Sequence, residues 1–219
     1  MKKFAIVMAS LLFVSGLFFV VGCTEDDTSS PVITLVGSDP DVVTYKSAAS
    51  YTDPGATATD AEDGALTVTV EGTVNMNSAG EYVLTYKATD KAGNTSTKTR
   101  TVVVDAAPYV AGSYNVEDFT DAGGGSTSNG TYPETVTVSS TVYNKINFTK
   151  FAFYVNAGAY ATIAGSTITV PQQSITCGNP SALRNFTGSG TFTSTTMVIN
   201  YTEVTNGTTV TGHGNYTKN

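Results

Sequence analysis

Charged residues, histidine, cysteine and tryptophan are all scarce in this chain of 219 residues. Only 13% of the residues are charged, and the chain has one His, two Cys and no Trp. A single histidine, His213, excludes metal sites that are built from several histidines. The sequence also lacks a phosphate loop, a dinucleotide-binding fingerprint and a basic patch, so we expect no nucleic acid partner. We therefore predict a protein that is not an enzyme and needs no organic cofactor.

The one long apolar run stands at the N-terminus. Met1-Lys2-Lys3 gives a positive start, residues 4–21 are almost entirely apolar, and the small Gly22 precedes Cys23. This layout is typical of a secretory signal peptide, here residues 1–22. A transmembrane helix is the alternative, because the run is about long enough to cross a bilayer. Acidic residues after Cys23 and the lack of a basic stop-transfer cluster favour the signal peptide.

The four residues Val20-Val21-Gly22-Cys23 resemble the lipobox of bacterial lipoproteins. This resemblance implies cleavage before Cys23, acylation of its thiol and amine, and a mature protein held to a membrane by lipid. Cys177 would then have no disulfide partner within the chain, and we interpret it as a small, partly buried residue near a turn. Loss of Lys2 and Lys3 leaves nine basic residues against 18 acidic ones, and this acidic balance disfavours binding to nucleic acid or anionic lipid.

Residues 23–31 are short, polar and acidic, which predicts a flexible tether. Glu25-Asp26-Asp27 resembles the surface-export signal of Bacteroidota lipoproteins. That resemblance implies a protein anchored by lipid in the outer membrane and facing the exterior. An ordinary solvated linker is the alternative interpretation.

Residues 32–105 have the pattern of a small all-β domain. Tyr82, Leu84, Tyr86 and Ala88 share one face of a predicted strand, as period-two alternation requires. Turn signals such as Asp53-Pro54-Gly55 separate the apolar segments. The predicted strands cover residues 32–36, 42–45, 66–71, 80–89 and 95–104, and short strands at this spacing predict a β-sandwich.

Four motifs in this domain, at residues 31–35, 51–58, 60–64 and 86–94, resemble in the same order those of a bacterial surface immunoglobulin-like domain related to HYR repeats. The resemblance covers about a third of the chain. It implies an immunoglobulin-like fold that serves as a spacer or an adhesive unit and has no catalytic role.

Acidic residues collect at the predicted loops of this domain. Asp60, Glu62, Asp63 and Asp90 could supply oxygen ligands to Ca²⁺, which takes carboxylates and backbone carbonyls from loops. The spacing is not that of an EF-hand. The alternative is that Asp and Gly simply form the turns, with Asp side chains accepting hydrogen bonds from local amides.

A short boundary at residues 105–108 leads to a second domain, residues 109–219, that is poor in charge and rich in Thr, Ser, Gly and Asn. The segment 121–130 is predicted to be a flexible loop by its composition. Tight hairpins are predicted at Ala164-Gly165, Ser194-Thr195 and Asn206-Gly207. Strands are predicted at residues 132–139, 145–148, 159–163, 167–170, 172–176, 184–193, 196–204 and 208–216, and consecutive hairpins of this kind predict an antiparallel β-meander or barrel.

Five segments of the second domain carry a further resemblance, and they are residues 112–114, 160–173, 188–192, 197–201 and 212–216. They resemble the lipocalin-like C-terminal β-barrel domains of Bacteroidota lipoproteins. Function in such domains is mostly unassigned, so the resemblance implies a fold and little chemistry.

Three hypotheses for function follow. The first is a non-catalytic binding or adhesion protein, with an extracellular glycan or protein as its ligand. Aromatic rings and neutral polar groups suit a glycan, and Phe151, Phe153 and Tyr154 lie in the densest aromatic segment. The alternative, which we favour for any single ring, is that these rings fill the barrel interior and close its ends. The second is a lipocalin-like carrier of a small apolar ligand, which needs an interior cavity lined by Phe and Ile.

The third hypothesis is an enzyme, for which His213 and Glu203 are the most obvious catalytic candidates. No motif joins the carboxylates of the second domain. Solvation at the surface is therefore the favoured interpretation of the following residues: Glu117, Asp118, Asp121, Glu134 and Glu203.

Overall fold

The computed structural model describes residues 26–122 and 124–219. The predicted signal peptide and the lipidation site Cys23 lie outside these described residues. Strands dominate the described chain, and its single helix is the four-residue α1 (Ala107–Val110). Within these ranges we find no helical segment with the length and apolar character that a membrane crossing requires. The predicted all-β fold class, a sandwich followed by a barrel, is confirmed.

Two sheets form the N-terminal sandwich. The first is three-stranded and antiparallel, in the order β1 (Val32–Leu35), β3 (Ala56–Asp60), β4 (Gly64–Leu66). The second has the order β2 (Asp41–Thr44), β7 (Thr95–Asp105), β6 (Gly80–Thr89), β5 (Thr69–Glu71), and β2 runs parallel to β7. Ile33 and Ala58 of the first sheet pack against Leu84, Tyr86 and Val102 of the second, so the core lies between the two sheets.

Two details of the sandwich differ from the prediction. Residues 66–71, predicted as one strand, are divided between β4 in one sheet and β5 in the other, because the chain crosses from sheet to sheet at residues 67–68. The strand β3 was not predicted. Its segment, Ala-Thr-Ala-Thr-Asp, has only small apolar side chains, yet Ala58 and Asp60 are buried.

A charged side chain lies at the centre of this domain. Arg100 of β7 is fully buried, and its Nη1 donates to Asp53 Oδ1 at 2.6 Å and to the Tyr86 hydroxyl at 3.0 Å. The Tyr86 hydroxyl in turn donates to Asp53 at 2.6 Å. Arg100 Nη2 donates to the carbonyls of Val36 and Gly55. A turn at residues 53–55 is thereby fixed to the sheet, because a buried charge must be paired and hydrogen-bonded.

The sandwich and the barrel meet at a packed junction. Tyr45 of the sandwich contacts the rings of Tyr109 and Phe192, with ring centroids 5.1 and 5.7 Å apart. Ala79 and Gly165 exchange two backbone hydrogen bonds of 3.1 and 2.8 Å. These contacts join one continuous apolar core that also includes Ala107 and Val110 of α1, and Ala106 and Ala107 of the linker are buried within it.

Eight antiparallel strands close the barrel. Around the barrel they are β10 (Lys145–Phe148), β13 (Tyr160–Ala164), β14 (Thr167–Cys177), β15 (Ala182–Phe192), β16 (Thr196–Thr205), β17 (Thr208–Lys218), β8 (Gly112–Ala122) and β9 (Gly125–Val138). A small hairpin, β11 (Lys150–Phe151) and β12 (Tyr154–Val155), is inserted between β10 and β13. In the closed barrel each strand is paired with two neighbours over at least part of its length, and closure of this kind limits pairing with other chains.

The barrel hairpins follow the prediction closely. Asn206-Gly207 forms the predicted two-residue turn, and the turn predicted at Ala164-Gly165 lies one residue later, at Gly165-Ser166, because Ala164 pairs with Thr167. Asn206 and Gly207 have φ values of 51° and 80°, as a type I′ turn requires, and Asn-Gly is the favoured pair for that turn. A three-residue turn at residues 193–195 contains the predicted Ser194-Thr195.

The prediction of a flexible loop at residues 121–130 is wrong. Gly125–Val138 is one strand, and its first residues pair with Phe119 to Ala122 of β8. Composition misled here, because pairing with a neighbouring strand overrides the weak strand preference of Gly and Ser. The two strands predicted at 167–170 and 172–176 form the single strand β14, with an irregularity between Val170 and Gln173 where Pro171 lacks an amide hydrogen.

Candidate binding site at the distal end of the barrel

The barrel has two different ends. The turns that follow β13 and β15 lie against the sandwich, through Gly165 and Phe192. The turns that follow β14 and β16 lie at the other end, together with the end of β8 and the start of β9, and we call it the distal end. The hairpin β11–β12 packs across the distal end, since its rings contact β9, β10, β15 and β16.

Phe151 is a core residue. It is 0% exposed, and its ring centroid lies 5.5 Å from those of Phe148 and Phe186 and 5.6 Å from that of Tyr201. The structure therefore assigns Phe151, one of the three predicted ligand-binding aromatics, to the barrel interior. Aromatic rings in this arrangement stabilise the core beyond their buried area.

Phe153 is held at the rim by an unusual turn. Ala152 and Phe153 have φ values of 51° and 64°, left-handed conformations that cost non-glycine residues about 1–2 kcal/mol each. The turn projects Phe153, which is 45% exposed and lies edge-on to Tyr132 at 5.7 Å. A Cβ at Gly130 would lie 3.3 Å from the Phe153 ring, so the missing side chain at Gly130 makes room for it. Strain of this kind clusters at ligand-binding sites.

Tyr154 is oriented by an ion pair. The Arg184 guanidinium lies over the Tyr154 ring at 4.3 Å and donates to its hydroxyl at 3.0 Å. Arg184 also donates to Glu203, which is buried, and to the Thr205 hydroxyl at 3.3 Å. Burial raises the pKa of Tyr154 to about 12, so the hydroxyl stays protonated at neutral pH.

A cavity of about 640 Å³ opens between the hairpin and the distal turns. Phe153, Tyr154 and Tyr201 supply its aromatic walls, and Arg184 and Glu203 supply its charges. Ala152 and Val210 add apolar surface. Neutral hydrogen-bonding side chains make up the rest of the lining: Thr120, Asn129, Thr205, Asn206 and Thr208. The size is that of a small-molecule site, and the lining combines rings with converging polar groups.

The floor of the cavity is a buried polar network. Asp118 is 1% exposed, and its Oδ2 accepts from Asn129 Nδ2 at 2.7 Å and from the Tyr201 hydroxyl at 3.1 Å. Burial raises the pKa of Asp118 and of Tyr201. Asn129 and Tyr201 also line the cavity, so this network fixes two lining side chains in place before a ligand arrives.

Three of the carboxylates interpreted as solvated surface groups are buried, and for those three that interpretation is wrong. Asp118 supports the cavity floor and Glu203 pairs with Arg184. Glu134 is buried on the inward face of β9. Glu134 accepts from the backbone amides of Thr149 and Lys150, both at 2.7 Å, which fixes the start of the β11–β12 hairpin. Strand alternation alone could have indicated this, because Asp118 and Glu134 share the inward face with apolar neighbours.

The two catalytic candidates, His213 and Glu203, do not converge. Glu203 faces the cavity, whereas His213 lies between two inward-facing glycines of β17 and therefore points outward. His213 stacks on Phe119 at 4.7 Å, and its Nδ1 lies 3.1 Å from Asp121 Oδ2. Cys177 is buried, and burial raises the pKa of its thiol, which keeps it protonated and unreactive.

The four predicted calcium ligands are divided by the fold. Asp63 is engaged by Lys91, whose Nζ lies 2.8 Å from Oδ1 and whose backbone amide donates to Oδ2 at 2.7 Å. Asp90 Oδ1 accepts from the amides of Gly93 and Asn94 within its own turn. Asp60 and Glu62 instead lie next to Asp27, which the prediction did not include; the ligand atoms of these three carboxylates all lie within 4.8 Å of one another.

Comparison with known proteins finds a family to which the first domain is similar. Residues 33–104 match the model of the family described as "Bacterial surface protein, Ig-like domain". No curated protein matches the chain. A solved structure, the lipoprotein BT2262 from Bacteroides thetaiotaomicron, has 18% sequence identity and a TM-score of 0.33, covering 84% of this chain and 98% of its own. The family model and the two-sheet architecture agree, so residues 33–104 form an Ig-like domain that is similar to those of this family.

Proposed function

We propose that this protein is a lipid-anchored lipoprotein of the outer cell surface whose barrel binds a hydroxyl-rich ligand, of the glycan class, at its distal end. The cavity beside Phe153 and Tyr154 is the observation that carries the proposal. Sugars present apolar C–H faces and many hydroxyls. Aromatic walls together with neutral Asn and Thr side chains match both features.

The geometry of the two domains supports recognition outside the membrane. The Ig-like domain lies between the N-terminal tether and the barrel in the chain, and the cavity is at the barrel end remote from it. A ligand in the medium would meet this end first. The packed junction keeps the cavity pointing away from the anchor, because the two domains share one apolar core.

The barrel interior favours this proposal over carriage of an apolar ligand. A carrier needs a central void, but Phe148, Phe151 and Phe186 pack against each other inside the barrel together with Tyr201. The cavity at the rim holds an Arg–Glu pair and several hydroxyls. An apolar ligand would bury these polar groups without satisfying them, which is unfavourable.

The test is a glycan array probed with the full-length chain in detergent micelles, followed by titration of the best glycan. We expect Phe153→Ala to weaken binding at least tenfold, about 1.4 kcal/mol, because it removes an exposed ring of the cavity wall. Val155→Ala is the matched control. Val155 is on the same hairpin and is 61% exposed, but it does not line the cavity. Absence of binding across a broad panel, or equal binding by both variants, would refute glycan recognition.

The anchor needs a separate test. Replacing Cys23 with Ala should abolish incorporation of labelled palmitate and release the protein from the membrane fraction. Protease added to intact cells should degrade the wild-type protein if it faces the exterior. A protected protein would contradict the surface location while leaving the binding proposal open to its own test.

A further inference from the structure

We propose that Asp27, Asp60 and Glu62 form a calcium site that fixes the segment before β1 to the Ig-like domain. This inference is independent of ligand binding by the barrel. Three ligand oxygens, one from each side chain, lie within 4.8 Å of one another. Oxygens on opposite sides of one Ca²⁺ ion lie up to about 5 Å apart, since each Ca–O distance is about 2.3–2.6 Å. One ion can therefore contact all three carboxylates.

An unpartnered oxygen in the cluster indicates a missing ligand. Asp60 is only 8% exposed, and its Oδ1 accepts from the amides of Glu62 and Asp63 at 3.0 and 3.1 Å. Its Oδ2 is buried and, among residues 26–122 and 124–219, has no hydrogen-bond partner. A buried carboxylate oxygen without a partner is unfavourable, and a cation coordinated by Oδ2 would satisfy it.

The charges of the cluster are also unbalanced. Three carboxylates that lie this close repel one another, and over residues 26–122 and 124–219 no Lys or Arg side chain forms an ion pair with any of them. The nearby Lys91 is bound to Asp63. A divalent cation would supply the opposite charge that the described side chains do not.

The segment that contains Asp27 is already held in position. Ser29 donates from its amide to Asp27 Oδ1 at 2.8 Å and from its hydroxyl to Glu62 Oε2 at 3.3 Å. Asn94 Nδ2 donates to the Asp27 carbonyl at 3.0 Å. These contacts bring the acidic segment onto the β3–β4 turn without using all the carboxylate oxygens, so the site is arranged before the ion binds.

Calcium is the ion that this donor set fits. The ligands are all oxygens, which excludes the softer metals that prefer thiolate or imidazole. Ca²⁺ accepts irregular arrangements of six to eight oxygens completed by water, whereas Mg²⁺ demands a near-ideal octahedron. A site made partly by a short N-terminal segment suits the more tolerant ion. Its binding would shorten the free part of the tether, because Asp27 is four residues from Cys23.

The experiment titrates CaCl₂ into the full-length, chelator-treated chain in detergent micelles, with heat as the readout. We expect one site with a Kd of roughly 0.1–1 mM, the range of extracellular calcium modules. Asp27→Asn should weaken binding at least tenfold and should leave the sandwich folded, since Asp27 precedes the first strand β1. Asp60→Asn should do the same, and its amide oxygen can still accept from the turn amides.

Asp63→Asn is the matched control, with the same loss of charge in the same turn but no oxygen in the cluster, and it should change the Kd less than twofold. Hydrogen exchange supplies a second readout. Calcium should slow amide exchange at residues 26–30 in the wild-type chain and leave it unchanged in Asp27→Asn. No binding heat up to about 10 mM Ca²⁺, equal affinities of the Asp27 and Asp63 variants, or equally tight Mg²⁺ binding would overturn the assignment.

Discussion

Asn144 at the start of the barrel strand β10 is bonded to Asp105 at the end of the last sandwich strand, since its backbone amide donates to Asp105 Oδ1 at 2.9 Å. The Asn144 side chain extends this connection. Its Oδ1 accepts from the Ala106 amide at 2.7 Å, and its Nδ2 donates to the Val104 carbonyl at 3.0 Å. The Asn144 side chain thus forms hydrogen bonds with two buried backbone groups at the junction, the Ala106 amide and the Val104 carbonyl.

Replacing Asn144 should therefore weaken the junction. Asn144→Ala leaves the Ala106 amide and the Val104 carbonyl unpaired in a buried site, and it places Ala at a φ of 54°, which Asn tolerates better. We expect the free energy of unfolding in urea to fall by about 2–4 kcal/mol. We also expect the sandwich and the barrel to unfold in separate steps. Thr141→Ala, an exposed change in the same loop, is the control, and an equal effect of both variants would contradict this role.

The buried ion pair of the sandwich allows a second prediction. Asp53→Ala leaves the Arg100 guanidinium, which is 0% exposed, without its carboxylate. Breaking a buried pair in this way costs about 3–5 kcal/mol. Tyr86→Phe removes only one member of the network and should cost about 1–2 kcal/mol. Glu71→Gln, on an exposed strand position, should leave the urea midpoint unchanged. A loss under 1 kcal/mol for Asp53→Ala would show that the pair is dispensable.

Replacing each of the two phenylalanines of the β11–β12 hairpin with Ala should lower the stability of the protein by different amounts. Phe151→Ala opens a hole among Phe148, Phe186 and Tyr201 and should cost about 3–5 kcal/mol. Phe153→Ala removes a ring that is half in solvent and should cost under about 1 kcal/mol. Thermal unfolding of the two variants checks this difference. Similar losses would mean that Phe153 belongs to the core and cannot serve chiefly as a binding surface.

The sequence predicted the positions of strands and turns better than it predicted which strands pair with each other. Alternation and turn residues located β6 at Gly80–Thr89 and the Asn206-Gly207 hairpin, because both signals are local. The pairing of Gly125–Val138 with β8 and the division of residues 66–71 between two sheets depend on distant segments. No local pattern contains that information.

The same limit applies to the candidate sites. Phe151, Phe153 and Tyr154 lie within four residues of sequence. The turn with positive φ values at Ala152 and Phe153 separates a ring in the core, Phe151, from a ring at the rim, Phe153. Asp27 lies 33 residues before Asp60, so its place beside Asp60 and Glu62 follows from the path of the chain before β1. The sequence indicated the chemical types of these residues but not their convergence.

The pH dependence of stability should expose the buried Asp118. Burial is the largest cause of its raised pKa, and hydrogen bonds from Asn129 and Tyr201 oppose the shift without cancelling it. The folded protein therefore binds a proton at Asp118 at a higher pH than the unfolded chain does, for which the ordinary value is 3.8. This contribution to stability is full below that value and is lost as the pH rises through the folded pKa.

Asp118→Asn removes this titration and leaves the other ionisable residues in place. The difference in unfolding free energy between the wild type and the variant should thus shift in favour of the wild type as the pH falls from 7 toward 4. Urea unfolding of both proteins across that range measures the difference, in which the remaining titrating groups largely cancel. Glu117→Gln, at the exposed neighbouring position of β8, should give a profile parallel to that of the wild type. If the Asp118→Asn profile is also parallel to that of the wild type, the pKa of Asp118 in the folded barrel is not raised above its value in the unfolded chain.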